Sequence, residues 1–403
     1  MRLHPFGQVP RNTVNVVLGA SPLALGLGFY GVAITVFLPL EGISVTNVGA
    51  LLTIFGLTTV IFSIPFAVLS DRYGRKHIML VGALIASSII FIPGITEDIF
   101  LIELSAVIGG VGEAMYLSNW NAYLADTTTS DVRAATFSLS FITFSLASGV
   151  GTFIPALFPL LPMDLLAAHR LTFIILGLAC LATPFSVSRW AVNIKPKISR
   201  EGLLPRKSLG IIAKFSTTNL MIGLGAGLII PLIPTWFYLR FNVTDVFSGP
   251  LVAASNIITG LTALLAPRIA KRVGLVRGIV MTQALSTIFL LSIPFSPSAI
   301  VAGPLCVVRT VLMNMSSPLG DTFLMSKIAE DERATASSFN VVIWTLPNAA
   351  STVVGGSLLN SGELSLPFYL CTILYVASIT LFYALFRKTE HTDENSLTTQ
   401  VSS

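Results

Sequence analysis

The sequence predicts an all-α membrane protein whose twelve transmembrane helices form two six-helix bundles, and three observations carry that expectation. First, 53% of the 403 residues are hydrophobic, only 11% are charged and the mean hydropathy is +0.83, so a water-soluble globule would expose more apolar surface than water tolerates. Second, twelve apolar runs are each long enough to cross a ~30 Å hydrocarbon layer as a helix. Third, the basic residues fall almost entirely in alternate loops.

The runs occupy 14–40, 48–69, 78–94, 100–125, 134–162, 171–188, 209–237, 247–267, 278–296, 299–326, 335–358 and 366–386. None shows the alternation of a lipid-facing strand, so each reads as a helix. The first lies behind Arg2 and Arg11, is too long for a signal-peptide core and lacks a cleavage site, so it reads as an uncleaved first helix. The second and third are joined by "SDRYGRKHIM", residues 70–79, where five charged or basic side chains crowd around Tyr73 and Gly74. The fourth ends in "AYLAD" at Asp126. After the sixth comes "SRWAVNIKPKISREGLLPRKSLG" (188–210), basic and broken by Pro196 and Pro205, which reads as a linker. The expected organisation is therefore a bundle at 1–188, a linker at 189–208, a second bundle at 209–387 and a polar tail at 388–403.

Of the 24 Lys and Arg residues, 20 fall in 1–13, 70–77, 126–133, 189–208, 268–277, 327–334 and 387–403, and the opposite loops hold only Arg170 and Arg240. That contrast predicts both termini in the cytoplasm and a multi-pass protein of the plasma membrane. The net charge of +5 then reports topology and anionic lipid rather than nucleic acid. Cys180, Cys306 and Cys371 fall inside apolar runs and read as small core residues, while His4, His77, His169 and His391 fall outside them. Neither set has metal-ligand spacing, and no phosphate-binding loop or nucleophile constellation is present, so no cofactor, no ATP and no enzymatic activity are expected.

The halves repeat. "SDVRAATFS" (130–138) recurs as "EDERATASS" (330–338), with Arg133 matched by Arg333, and the same offset of 200 places Asp71-Arg72-Tyr73-Gly74 on Lys271-Arg272-Val273-Gly274 and Gly49 on Gly249. Six spans per copy make this a parallel repeat about an axis along the membrane normal, with the substrate site between halves near the midplane.

"AVLSDRYGRK" (67–76) matches the pattern G-x-L-x-D-R-x-G-R-[RK] at Leu69, Asp71, Arg72, Gly74, Arg75 and Lys76, departing at Ala67. With the twelve spans, the six-plus-six split and the basic middle loop, the chain resembles the major facilitator superfamily of secondary transporters. The resemblance implies that Asp71 faces the start of helix 11 and that Arg75 pairs with Asp126. Asp71, Arg72, Gly74, Arg75 and Asp126, with the repeated Arg133 and Arg333, would then form a cytoplasmic clamp that closes in the outward-open state. The plainer alternative is that the loop is only a topology signal, although topology needs neither Asp71 nor Gly74. "SGVGTFIPAL" (148–157) keeps Gly151 and Pro155 of the family's antiporter signature but lacks the glycine before the proline, and Ala106 stands where many relatives carry a helix-4 arginine.

Five charged residues lie inside the spans: Glu103, Glu113, Lys214, Arg309 and Asp321. Glu103 is near one end of its helix, and Lys214 and Asp321 near the other, within reach of water. Glu113 and Arg309 are deep, where a charge costs at least ~2.5–3.5 kcal/mol on insertion scales, so each needs a cavity or a partner. The resemblance puts both on the wall of the central cavity, which helices 1, 4, 7 and 10 line. Tyr116 and Trp120 share the helix face of Glu113, and Met313 and Ser316 that of Arg309, a combination suited to a greasy or cationic ligand. Tyr30 and Trp344 are further candidates. A static Glu113–Arg309 pair is the alternative reading.

The expected function is alternating-access transport of a small amphipathic or cationic solute, with protons as coupling ion, Glu113 as their site, the lipid bilayer as solvent and a monomer as the working form. Uptake of an organic anion on Arg309 is the alternative within transport, and a non-transporting membrane sensor the alternative outside it.

Overall fold

The computed structural model describes residues 9–192, 208–262, 272–328 and 332–401 of the chain. Among these residues every regular element is helical. In chain order the membrane helices are α1 (Arg11–Leu40), α2 (Val45–Ser70), α3 (Arg75–Ile95), α4 (Ile99–Asp126), α5 (Ala135–Leu160), α6 (Leu165–Trp190), α7 (Leu209–Phe241), α8 (Asp245–Thr262), α9 (Leu275–Phe295), α10 (Ala299–Lys327), α11 (Phe339–Asn360) and α12 (Leu366–Arg387). Eleven are long and apolar enough to cross a membrane. The exception is α8, because the end of its expected span, beyond Thr262, lies outside the described residues. So do most of the expected linker (193–207), Lys271 of the second motif copy, and Glu330 and Asp331 of the repeated "EDERATASS".

One end of the helices carries the connections α1–α2, α3–α4 and α5–α6, and is called distal below; the other is proximal. The distal connections are short because polar side chains satisfy the first helical N–H groups: Ser44 Oγ accepts from Asn47 N, Asp98 Oδ1 from Phe100 N, and Asp164 Oδ2 from Ala167 N. At the proximal end the chain reverses at Gly74, φ 93°, and Gly274, φ 88°. Only glycine adopts that backbone without steric cost, so the offset of 200 seen in sequence is also an offset in conformation.

The chain divides into two compact units. The first takes Met1–Arg200 together with Leu232–Ala253 and Thr352–Asn360; the second takes Glu201–Pro231, Ala254–Ser351 and Ser361–Ser403. Inside the first unit the distal ends of α7, α8 and α11 pack onto α1, α2, α5 and α6. Thr235 Oγ1 donates to the Thr35 carbonyl at 2.6 Å, Val45 N to Asn360 Oδ1 at 3.1 Å, and Val353 N to Thr53 Oγ1 at 3.0 Å. A Cβ on Gly49 would lie 2.7 Å from the Thr352 carbonyl, and one on Gly249 2.4 Å from the Thr152 carbonyl. Both partners of the first contact are displaced by 200 from those of the second, so one backbone-to-backbone approach is made twice.

An aromatic cluster anchors each unit. In the first, Phe173 meets Phe29 at 4.9 Å and Phe37 at 5.3 Å. In the second, Phe323, Phe382 and Phe386 lie 5.0–5.7 Å apart beside Phe215 at the proximal ends of α7, α10 and α12. Lipid tails are as apolar as these rings, so close contact and dispersion rather than escape from water select the arrangement.

Candidate substrate and gating sites

Glu113 is 7% exposed on α4, and its Oε2 is buried without a hydrogen-bond partner. It lines a cavity of about 380 Å³ inside the first unit. The helical period that put Tyr116 and Trp120 on its face holds: both line the same cavity, their rings stacked at 5.4 Å with 26° between planes. Trp120 Nε1 donates to Ser140 Oγ of α5 at 2.8 Å, which fixes the indole and leaves its face to the cavity. The opposite wall is Leu23, Ala24 and Leu27 of α1, with Phe137, Phe141 and Phe144 of α5. Those phenylalanines are absent from the sequence-level candidates, although their spacing of four and three residues places them on one helix face.

Arg309 lines a second cavity, of about 570 Å³, inside the second unit. It is 3% exposed; Nη2 donates to the Tyr375 hydroxyl at 2.7 Å, and the guanidinium carbon sits 5.6 Å from the Tyr375 ring centroid. Nε is buried and unpartnered. Ser286 Oγ of α9 donates to the Arg309 carbonyl at 2.8 Å, and Gln283 Nε2 to Ser316 Oγ at 3.2 Å. Met313, Ser316 and Trp344 line this cavity, and so do Asn219, Asn340, Gln283 and Tyr375. A search restricted to charged side chains passes over those four. Asp321 also lines it, so this carboxylate belongs to a cavity rather than only to a helix end.

Neither Glu113 nor Arg309 belongs to an ion pair among the described residues. Tyr30 lines neither cavity: it is buried beside Phe55 of α2, ring centroids 6.4 Å apart, with its hydroxyl unpartnered. His169, which the spans left in a loop, is in fact inside α6 and fully buried, with Nε2 at 2.8 Å from Asp245 Oδ2. The helix begins earlier than its apolar run, because Asp164 caps it.

At the proximal end Arg75 Nη1 lies 3.0 Å from Asp126 Oδ2, the pair that the motif implies. Lys76 Nζ donates to the carbonyls of Ser188 and Ala191 at 3.2 and 2.6 Å, a cation set on the C-terminal dipole of α6. Arg133 reaches the carbonyls of Ala125 and Thr128 at 3.2 and 3.4 Å, tying the α4–α5 turn, and Arg72 is exposed. The side chains of Asp71 and Arg333 lie outside the described residues.

The Major Facilitator Superfamily model matches residues 16–352 and 215–401. Multidrug resistance protein 1 of Bacillus subtilis (strain 168) is 27% identical over 358 residues, which is 85% of this chain and 88% of that protein. Quinolone resistance protein NorA of Staphylococcus aureus is 28% identical over 158 residues, 38% of each chain. The crystal structure of the nucleoside transporter NupG superposes with a TM-score of 0.73 at 12% identity, covering 94% of this chain and 99% of that one, a likeness of fold alone. Membrane helices in two compact units, a repeat kept in sequence and backbone alike, and a family match that spans the chain lead to one conclusion: this integral membrane protein belongs to the Major Facilitator Superfamily.

Proposed function

We propose that this transporter exports amphipathic, cationic compounds from the cytoplasm across the plasma membrane in exchange for protons, working as a monomer with its termini and basic loops in the cytoplasm. The observation that carries the reading is the Glu113 carboxylate, buried with an unpartnered oxygen in a cavity walled by Tyr116, Trp120 and three phenylalanines. A buried carboxylate can be neutralised by a proton or by a ligand cation, and occupancy by one excludes the other, which is the condition for exchange. The aromatic wall supplies stacking and cation–π attraction without demanding one ligand shape. The names of the two bacterial relatives, a multidrug and a quinolone resistance protein, agree with export.

In this reading the halves 1–188 and 209–387 rock about the linker, Asp71, beside the Arg75–Asp126 pair, clamps the proximal side in the outward-open state, and the glycine contacts of Gly49 and Gly249 close the distal side in the other. One observation favours a second reading. The unpartnered Nε of Arg309 is a charge-assisted donor beside a 570 Å³ cavity, where an organic anion would bind.

The test is transport in proteoliposomes under an imposed proton gradient, with a lipophilic dye cation and an aromatic carboxylate as probes. Export of the cation, abolished by Glu113→Gln and retained by Arg309→Gln, supports the first reading. Anion transport abolished by Arg309→Gln and indifferent to Glu113→Gln replaces it with the second.

A further inference from the structure

Within the first unit α3 and α6 pack side by side in opposite directions. A Cβ on Gly177 would lie 2.6 Å from Phe91 Cβ and one on Gly94 2.8 Å from the Ile174 side chain, while at the other end Lys76 Nζ reaches the Ser188 carbonyl at 3.2 Å. One residue on from these contacts each helix carries an exposed stripe. On α3 it is His77, Val81, Leu84 and Ile95; on α6 it is Leu171, Ile175, Leu178 and Arg189, with Phe185 one turn before the arginine and 72% exposed. A step of one residue turns about 100° around a helix, and for antiparallel neighbours the two turns fall on the same side of the pair. Both stripes therefore border a single groove, apolar along its length and basic at its proximal end.

That end is pinned. Lys76 Nζ also donates to the Ala191 carbonyl at 2.6 Å, and Val192 N donates to the Tyr123 hydroxyl at 2.8 Å, so the last turn of α6 is held against α3 and α4. Arg189 is exposed there, its guanidinium carbon 5.7 Å from the centroid of the Trp190 ring, which is itself 39% exposed. An ammonium has three donors, and two of those of Lys76 are given to carbonyls, so one remains for a ligand. The same two bonds occupy the carbonyls that would attract a cationic head group and offset the negative end of the helix dipole. Among the described side chains at the proximal end of this unit the one carboxylate, Asp126, is paired with Arg75. Two cations with no free anion beside them suit a phosphate, which a guanidinium meets with two parallel hydrogen bonds.

Depth identifies what carries the phosphate. Arg189 is eleven residues beyond Leu178, about 16 Å along α6, which is the thickness of one leaflet of a ~30 Å hydrocarbon layer. Trp190 stands at the level where indoles mark the membrane–water boundary. A free phosphate has no use for the apolar stripes below it, whereas an acyl chain does.

We propose that the α3–α6 groove binds an anionic phospholipid of the proximal leaflet, its phosphate on Arg189 and Lys76, its glycerol beside Trp190 and an acyl chain along Val81, Leu84, Leu178 and Phe185. The bound lipid fastens the head of α3 to the end of α6. The site depends on the fold and on neither Glu113 nor Arg309, so it stands or falls apart from both transport readings.

The experiment is native mass spectrometry of the full chain in detergent, with dioleoylphosphatidylglycerol and dioleoylphosphatidylcholine as probes, reading the dissociation constant of the first bound lipid. At about fivefold for each of two cations, phosphatidylglycerol should bind about 25-fold tighter than phosphatidylcholine. Arg189→Gln should weaken phosphatidylglycerol about fivefold and leave phosphatidylcholine unchanged, and Arg189→Lys should restore most of the loss. Arg387→Gln, which removes an exposed cation from the proximal end of α12 in the other unit, should have no effect. Brominated phosphatidylglycerol should quench a part of the tryptophan emission that Trp190→Phe removes. Four results overturn the proposal. Equal constants for the two lipids leave only ordinary solvating lipid, an equal loss in Arg387→Gln and Arg189→Gln leaves a diffuse attraction to basic loops, displacement by excess inorganic phosphate makes this a soluble-anion site, and quenching undiminished in Trp190→Phe puts the lipid elsewhere.

Discussion

Replacing Glu113 and Arg309 by glutamine, singly and together, separates a working carboxylate from a static ion pair. Glu113 is the fifteenth of 28 residues of α4, about 21 Å along a helix of about 42 Å, so the substitution removes a charge from the middle of the membrane. Its Oε2 has no partner to lose. Glu113→Gln is therefore expected to leave thermal stability unchanged or raised. Arg309→Gln withdraws the charged donor from the buried Tyr375 hydroxyl, which keeps its hydrogen bond with Cys371, at a cost of about 1.5–3 kcal/mol. The double mutant should equal the sum of the two single changes within ~0.5 kcal/mol, since sites that share no partner add. A cation at ~4 Å from the carboxylate gains about 4 kcal/mol at an effective dielectric constant of ~20. Rehydration of the released cation offsets part of that, so Glu113→Gln should weaken cation binding by about 10–100-fold. Gradient-driven accumulation should vanish while counterflow at raised substrate concentration persists, because binding and rocking remain. The assays are scintillation-proximity binding, vesicle transport with and without a proton gradient, and thermal unfolding of the three mutants in one detergent. Two results would refute the reasoning: full proton-driven transport by Glu113→Gln, or a double mutant more stable than the sum of the two single changes by a kcal/mol or more.

Other consequences are as specific. Gly249→Ala puts a Cβ at 2.4 Å from the Thr152 carbonyl, so α8 must retreat from α5; at ~1–3 kcal/mol for overpacking, distal opening should rise about 5–150-fold, read as alkylation rate of a distal cysteine, with Gly49→Ala doing the same. Unchanged alkylation in both would sink the seal. Charge exchange in Arg75→Asp/Asp126→Arg should recover part of the transport that either single change removes, whereas a loop that only sets topology would show no such recovery. Asp71→Asn should impair transport with normal membrane insertion, and Asp71→Glu should impair it less; normal transport by a well-inserted Asp71→Asn would discard the clamp. Trp120→Phe keeps an aromatic face but drops the bond to Ser140 Oγ, so the ring loses its fixed orientation and affinity for a flat cation should fall several-fold in direct binding, with Ser140→Ala following it.

The sequence by itself determined the solvent, the number of helices to look for, the repeat and the faces of single helices. These are local properties: hydropathy integrates along a run, and a period of 3.6 residues sets Tyr116 and Trp120 beside Glu113 wherever α4 is packed. Gly74 and Gly274 were legible for the same reason, since a reversal that needs positive φ needs glycine at that very position. Tertiary packing decided everything that depends on which helix faces which. The partner of Arg309 is Tyr375, 66 residues away on α12, and no pattern within α10 points to it. The wall opposite Glu113 comes from α5, and Tyr30 turned to Phe55 instead of a cavity. His169 and Asp245 stood 76 residues apart at the edges of two apolar runs, where polar side chains ordinarily meet water. Only the docking of α8 against α6 removed the water, and with it the solvation that either group would otherwise have kept.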